Sequence, residues 1–202
     1  FFDILQTAIL AGDKTKGAFD ITIKPLIDLY QIKTEKTPKL KMLPIVPEEI
    51  KNKIGYKNII LNKENQTVFL KNQAQIDLSG ILKGYAVDVI AEVLRKNGVK
   101  KAMINGGGNL YCLGTDENDR KWKIGIKDPN KLDRIVKKNL ELKNQAVSTS
   151  GGYERYIFVG TENFSHIVNP ITYKPVKAKG AVTVVADSAI WADIWSTAIF
   201  VD

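Results

Sequence analysis

A single cysteine, a single histidine and few arginines stand among the 202 residues. Cys112 alone excludes an internal disulfide and a cysteine-cluster metal site, and it leaves the compartment open. His166 is the chain's one ready acid/base without a shifted pKa, since an unperturbed imidazole titrates near neutral pH. The net charge of +8 suits an acidic partner such as nucleic acid, anionic lipid or a phosphate-bearing ligand. Yet Arg95, Arg120, Arg134 and Arg155 are the only arginines and the lysines are scattered. Base readers and stacking platforms lean on arginine and clustered aromatics, so a nucleic-acid partner is not expected. Nor does any window approach the run of about 20 apolar residues that a membrane-spanning helix needs. The numbering opens on Phe1 inside a helical pattern, with no Met and no charged-then-apolar leader. A fragment or processed form is expected.

What is present is the balance of a folded chain: 44% hydrophobic and 26% charged residues, enough for one well-buried domain or two small ones. Strand and helix signals are mixed without strict alternation, which predicts an α+β fold. Residues 1–12 and 24–30 read as helices. The Pro- and Lys-rich stretch 33–47 reads as a surface loop or linker, followed by a short helix in "EEIKNKIG" closed by Gly55. "NIIL" and "TVFL" predict a hairpin. The clearest helix runs from Gly80 to Asn97, with Ser79 as N-cap and Gly98 as stop. Its apolar residues recur at Ile81, Tyr85, Val89 and Val93, and at Leu82, Ala86, Ile90 and Leu94. Strand-like segments follow around the glycine loop "GGGN", and a mostly apolar helix closes the chain from about Ser188.

Five stretches can carry chemistry. Asp193 and Thr197, four apart on the last helix, share one face, so a carboxylate and a hydroxyl reach one point, as a hard cation such as Mg²⁺ requires. An Asp in so apolar a helix needs a reason, although surface pairs of this kind are common. Asp77 and Lys83 flank a helix start, where unpaired N–H groups suit phosphate; Asp77 as a turn or capping residue explains it equally well. "GILKGYA" lacks the P-loop spacing, and "NGGGN" lacks the dinucleotide fingerprint and reads first as a hairpin turn. "STSGGYERY" can line a site or only connect strands. The environment of His166 in "NFSHIVNP" is compatible with a packing ring or a proton carrier.

Taken in order, "GAFDITIKPLIDLY" (17–30), "IDLSGILKGYAVD" (76–88), "INGGGNLYCLG" (104–114), "AVSTSGGYERY" (146–156), "FSHIVNP" (164–170) and "ADIWSTAIFV" (192–201) resemble the FAD:protein FMN transferases, the ApbE-like flavin transferases. The resemblance covers nearly the whole chain. It implies a T-fold-like α+β architecture, a mixed or antiparallel sheet with packed helices, as one flavin transferase domain over 1–202 that lacks the family's N-terminal segment. It implies Mg²⁺-dependent transfer of FMN from FAD, through a phosphoester, to a Thr or Ser hydroxyl of a target flavoprotein subunit, with AMP released. By the same resemblance Ala18, Phe19, Asp20, Asp77, Lys83 and Val168 contact FAD. Gly80 offers its carbonyl to the metal, Asp193 and Thr197 their side chains, and His166 is the base. An extracytoplasmic place on the periplasmic side of the inner membrane, held by an N-terminal anchor outside this chain, is also implied. FAD pyrophosphatase activity, with water as acceptor, and noncatalytic FAD binding are the alternatives.

Against the family pattern, Asn169 replaces an acid, Tyr173 a glycine, Gly152 an Asp and Asn109 an acid. Leu82, Trp191 and Trp195 replace smaller residues. None of these removes an expected ligand; all bear on substrate fit and rate.

Overall fold

The computed structural model describes residues 1–32, 37–129, 131–152, 156–178 and 180–202, with the main chain alone at 131–134 and 136–138. In chain order its elements are α1 (Phe2–Lys14), α2 (Lys24–Leu29), β1 (Lys39–Leu40), α3 (Glu48–Lys53), β2 (Ile59–Asn62), β3 (Thr67–Leu70), α4 (Leu82–Lys96), β4 (Ala102–Gly106) and β5 (Asn109–Leu113). There follow β6 (Trp122–Asp128), β7 (Lys131–Leu142), β8 (Gln145–Gly151), β9 (Tyr156–Val159), β10 (Glu162–Asn169), β11 (Lys174–Lys177), β12 (Ala181–Ala186) and α5 (Ala189–Val201). This is the α+β mixture the segment order predicts. The elements fall into two compact units, each assembled from separate stretches of chain: 1–78, 151–179 and 198–202 in unit 1, and 79–150 and 180–197 in unit 2.

Unit 1 is built on a sheet in the order β1-β9-β10-β11. β1 runs parallel to β9, and β10 runs antiparallel to both β9 and β11, so the sheet is mixed. Its core gathers Leu26, Ile27, Tyr30, Ile157, Phe164 and Val168. Tyr30 is fully buried, and its hydroxyl donates to the Tyr173 carbonyl at 2.8 Å, so its polar end is satisfied. α1 buries Ile4, Leu5, Ala8 and Ala11 along one stripe. α3 has no fully buried residue; Ile50 packs against the unit 1 core, and Glu48 and Glu49 in the first turn with Lys51 and Lys53 in the last suit the helix field. The expected hairpin is β2 paired with β3. The stretch read as surface loop or linker contributes β1, and Leu40, Leu43 and Val46 pack against the unit 1 core. Its residues 33–36, like 153–155 of "STSGGYERY", lie outside the described residues.

Unit 2 holds a sheet in the order β12-β8-β5-β4 and the β6-β7 ribbon. Gly107 (φ 65°) and Gly108 (φ 94°) make the turn between β4 and β5, which demands a left-handed backbone at both positions. α4 covers this sheet through a face the periodicity did not single out. Gly84, Val87 and Ala91 are buried, whereas Leu82, Val89, Ile90 and Val93 are exposed. The reason is close approach. A Cβ on Gly84 would lie 2.5 Å from the Ala189 carbonyl oxygen, so the small residues let α4 touch the start of α5. The N-terminal boundary also moves: α4 starts at Leu82 with Ile81 at the cap position, which leaves Ser79 in the preceding turn. Asp88 of α4 accepts hydrogen bonds from the N–H groups of Ala189 (2.7 Å) and Ile190 (2.8 Å). A side chain from one helix thus caps the next and fixes where α5 begins.

Candidate active site

In unit 2, four elements bring polar groups to one place. Asp193, on α5, is 5% exposed. Its Oδ2 accepts the Gly84 N–H at 3.1 Å, within the first turn of α4, where the helix field favours an anion. Burial pushes this carboxyl above the ordinary carboxylate range, while the Lys83 charge, the Gly84 N–H, the Asn109 amide and Ser148 pull it back. A line of hydroxyls extends from it. Ser148 donates to Asn109 Oδ1 at 2.8 Å and stands 3.5 Å from Asp193 Oδ1. Ser196 lies 3.3 Å from Ser148 and 2.9 Å from Ser150, and Ser150 lies 3.2 Å from Thr197 Oγ1. Strand alternation on β8 puts Ser148 and Ser150 on one face, while Thr149, between them, bonds Thr183.

The structure therefore joins Asp193 and Thr197 through serines and sets Lys83 beside the carboxylate. Gly80 lies in the turn leading into α4, the helix whose N–H meets Asp193. Carboxylate, hydroxyl and carbonyl oxygens are the donor set of a hard cation, and a buried carboxylate so thinly hydrogen-bonded keeps lone pairs for one. The residues fit Mg²⁺. Among the described residues no group of three or more His, Cys, Asp or Glu side chains gathers as a metal cluster, so any cation here would draw its remaining ligands from elsewhere.

The other expected site residues belong to unit 1. Asp20 is 7% exposed and already committed. Its Oδ1 accepts from both the N–H and the hydroxyl of Thr22, and its Oδ2 from the Tyr56 N–H, each at 2.7 Å. Thr22 in turn accepts the Gly55 N–H at 2.7 Å. Burial raises the Asp20 carboxyl and these bonds lower it. Phe19 is buried and Ala18 half-buried beside it. The Asp77 N–H donates to the Ile21 carbonyl at 2.7 Å, and Ile23 bridges Gln75, so the 75–77 and 21–23 segments run together. Val168 is 2% exposed and packed within the unit 1 core, which gives its side chain a packing role.

His166 is half-buried on β10, where the pairing slips: β10 runs from Phe164 to Val168 while β11 advances only from Lys177 to Pro175. Within that irregularity Ser165 Oγ accepts the Ile167 N–H at 3.1 Å. Bulges of this kind re-aim a side chain, and His166 sits at its middle.

The ApbE family model matches residues 1–202. The chain belongs to that family. It is 30% identical to the FAD:protein FMN transferase of Escherichia coli K12 over 98% of this chain and 58% of that protein. The ApbE crystal structure from Thermotoga maritima superposes with a TM-score of 0.88 at 34% identity, covering 99% of this chain and 64% of that one. The flavin transferase ApbE from Vibrio cholerae gives 0.81 at 28% identity, over 98% and 63%. The chain thus spans about three fifths of the length of the curated relatives it matches.

Within the ApbE family, the departures of this chain acquire local reasons. Asn169 Oδ1 accepts the N–H groups of Ile171 (2.8 Å) and Thr172 (2.9 Å), and its Nδ2 donates to the Val201 carbonyl at 3.4 Å. An Asp makes only the first kind of bond. At Gly152 a Cβ would meet Ala178 Cα at 2.5 Å, so the common Asp does not fit. Tyr173 holds φ 60°, the backbone a glycine supplies freely. The serines 148, 150 and 196 escaped the sequence reading as site groups; only the alternation in "STS" hinted at them.

Proposed function

We propose that this chain carries the catalytic core of an FAD:protein FMN transferase that needs Mg²⁺ and passes FMN to a Thr or Ser hydroxyl of a target protein. The observation that carries the reading is Asp193: a buried, underbonded carboxylate at a helix start, walled by hydroxyls, in an ApbE-family chain. Asp193, Thr197 and the Gly80 carbonyl would hold the cation, which would neutralise charge on the diphosphate oxygens as it develops. Lys83 and the α4 N-terminus favour the same anion. The acceptor oxygen bonds to the FMN phosphorus, the bond from that phosphorus to the bridging oxygen breaks, and AMP leaves. His166 takes the hydroxyl proton, a contribution on the order of a hundredfold to ten-thousandfold for a general base. Asp20 supports the fold around the 18–22 segment, and Ala18, Phe19, Asp77 and Val168 shape the FAD side. Among the described residues no helix is long and apolar enough to cross a membrane. The extracytoplasmic, anchored location is proposed on the resemblance alone, and fractionation of cells making the full-length protein tests it.

The test incubates the protein with FAD, Mg²⁺ and a target bearing the acceptor Thr, and looks for covalent flavin by mass spectrometry. Asp193→Ala is expected to lose metal-dependent transfer, and His166→Ala to bind FAD but transfer poorly. FMN and AMP released equally with or without the target would make water the acceptor. Intact FAD after long incubation would reduce the protein to a binder.

A further inference from the structure

We propose that Asn109 sets the charge of the unit 2 site: as an amide, it adds no second carboxylate beside Asp193, so that a divalent cation is held firmly only together with a diphosphate. The proposal deepens the transferase reading and rests on it for the identity of the cation.

Asn109 opens β5 directly after the Gly107–Gly108 turn and is 1% exposed. Its Oδ1 is engaged by Ser148. Its Nδ2 is buried and makes no full hydrogen bond, a cost that buried donors rarely bear without a ligand or a purpose. The Ser148 hydroxyl that engages Asn109 also stands 3.5 Å from Asp193 Oδ1, so amide and carboxylate meet across one hydroxyl. Because Ser148 donates to Oδ1, the amide is oriented with its donor left over, and a donor cannot coordinate a metal. The side chain at 109 therefore supports the ligand Asp193 without becoming a ligand.

Lys83, next to the Gly84 whose N–H meets Asp193, brings a positive charge to the carboxylate. These two cancel, and a divalent cation added to them leaves a surplus that matches the ionised oxygens of a dinucleotide diphosphate. A lone carboxylate with a lysine beside it is a poor cation site until those oxygens arrive; once they do, each ligand strengthens the other by the same factor. An acid at 109 would change both halves. The cation alone would gain a second anionic ligand, and the diphosphate would meet a like charge.

Mn²⁺ followed by electron paramagnetic resonance, with ADP as the diphosphate probe, tests this without turnover. In the wild type, Mn²⁺ alone is expected to bind at least about tenfold more weakly than Mn²⁺ in the presence of saturating ADP, after allowance for Mn–ADP formed in solution. Asn109→Asp is expected to tighten Mn²⁺ alone by about tenfold or more and to weaken retention of Mn–ADP by a similar factor; a merely structural role would weaken both. Asn109→Ser, neutral and small, should keep the wild-type order. Equal Mn²⁺ affinity with and without ADP in the wild type, which requires no variant to fold, overturns the proposal; so does Asn109→Asp moving both affinities in the same direction. Failure of flavin transfer with these affinities as expected would count against the transferase reading alone, and intact transfer with equal affinities would count against Asn109 alone.

Discussion

Asp20 in unit 1 and Asp193 in unit 2 are both buried, and burial raises the carboxyl of each. They differ in what answers them. Asp20 is met by three donors at 2.7 Å from its own chain, on both oxygens. Asp193 has one N–H at 3.1 Å and a serine at 3.5 Å, beside an amide whose donor is left over. A carboxylate that the polypeptide satisfies is a fastener; one that it leaves underbonded keeps its lone pairs for something else. The family resemblance implies a site role for both residues, and hydrogen-bond geometry sets them apart.

Breaking the Asp193 side should give the largest effect. Asp193→Ala is expected to cut flavin transfer by roughly a thousandfold, the several kcal/mol that a metal contributes to a phosphoryl transition state, while the melting temperature stays near wild type. A rate within tenfold of wild type, measured with saturating Mg²⁺, would place the metal elsewhere. Asp20→Ala should do the opposite. It leaves the Thr22 and Tyr56 donors without an acceptor and is expected to cost about 3 kcal/mol in urea unfolding. A loss of FAD affinity at unchanged stability would make Asp20 a ligand contact after all.

How far this contrast was legible in the sequence depends on whether the signal was local. The spacing of Asp193 and Thr197 is one turn of one helix and could be read directly, as could the β2-β3 hairpin and the Gly98 stop. Asn109, Ser148 and Ser150 come from β5 and β8, and only tertiary structure brings them to α5; Ser196, within one turn of Asp193, is local and bonds its carbonyl. α4 misled in another way. Its branched residues form the more conspicuous stripe, but close contact with Ala189 needs Gly84, which carries little hydrophobic signal. The bulge around His166 depends on how β10 pairs with β11, and no composition rule announces it.

Smaller effects sharpen the picture of unit 1 as closed on itself. Gly152→Asp, which restores the acid common in the family, is expected to cost about 2 kcal/mol because its Cβ enters the Ala178 backbone. Unaltered thermal stability would show that the 178 segment yields. pH tests Asp20 by sign. Its raised folded value makes its contribution complete below the ordinary carboxylate range and lost as pH rises through that raised value. The stability of wild type relative to Asp20→Asn should therefore decline from pH 3.5 towards neutrality; a rise would mean that the hydrogen bonds outweigh burial. The smallest change is expected of Asn169→Asp, which keeps the turn and loses the long bond to Val201, at about 0.5–1 kcal/mol by calorimetry.

The interleaving of the two units has a consequence for how the protein is made. Unit 2 takes residues up to 197, and unit 1 takes residues 1–78 together with 151–179 and 198–202. On a ribosome the first 78 residues of unit 1 must wait for β9, β10 and the end of α5 to be synthesised before their core can form. At typical translation rates of roughly 5–20 residues per second, that interval lasts several seconds or more, with Leu26, Ile27 and Tyr30 unable to find Phe164. A nascent chain arrested before residue 156 should be bound by chaperones that release the finished protein.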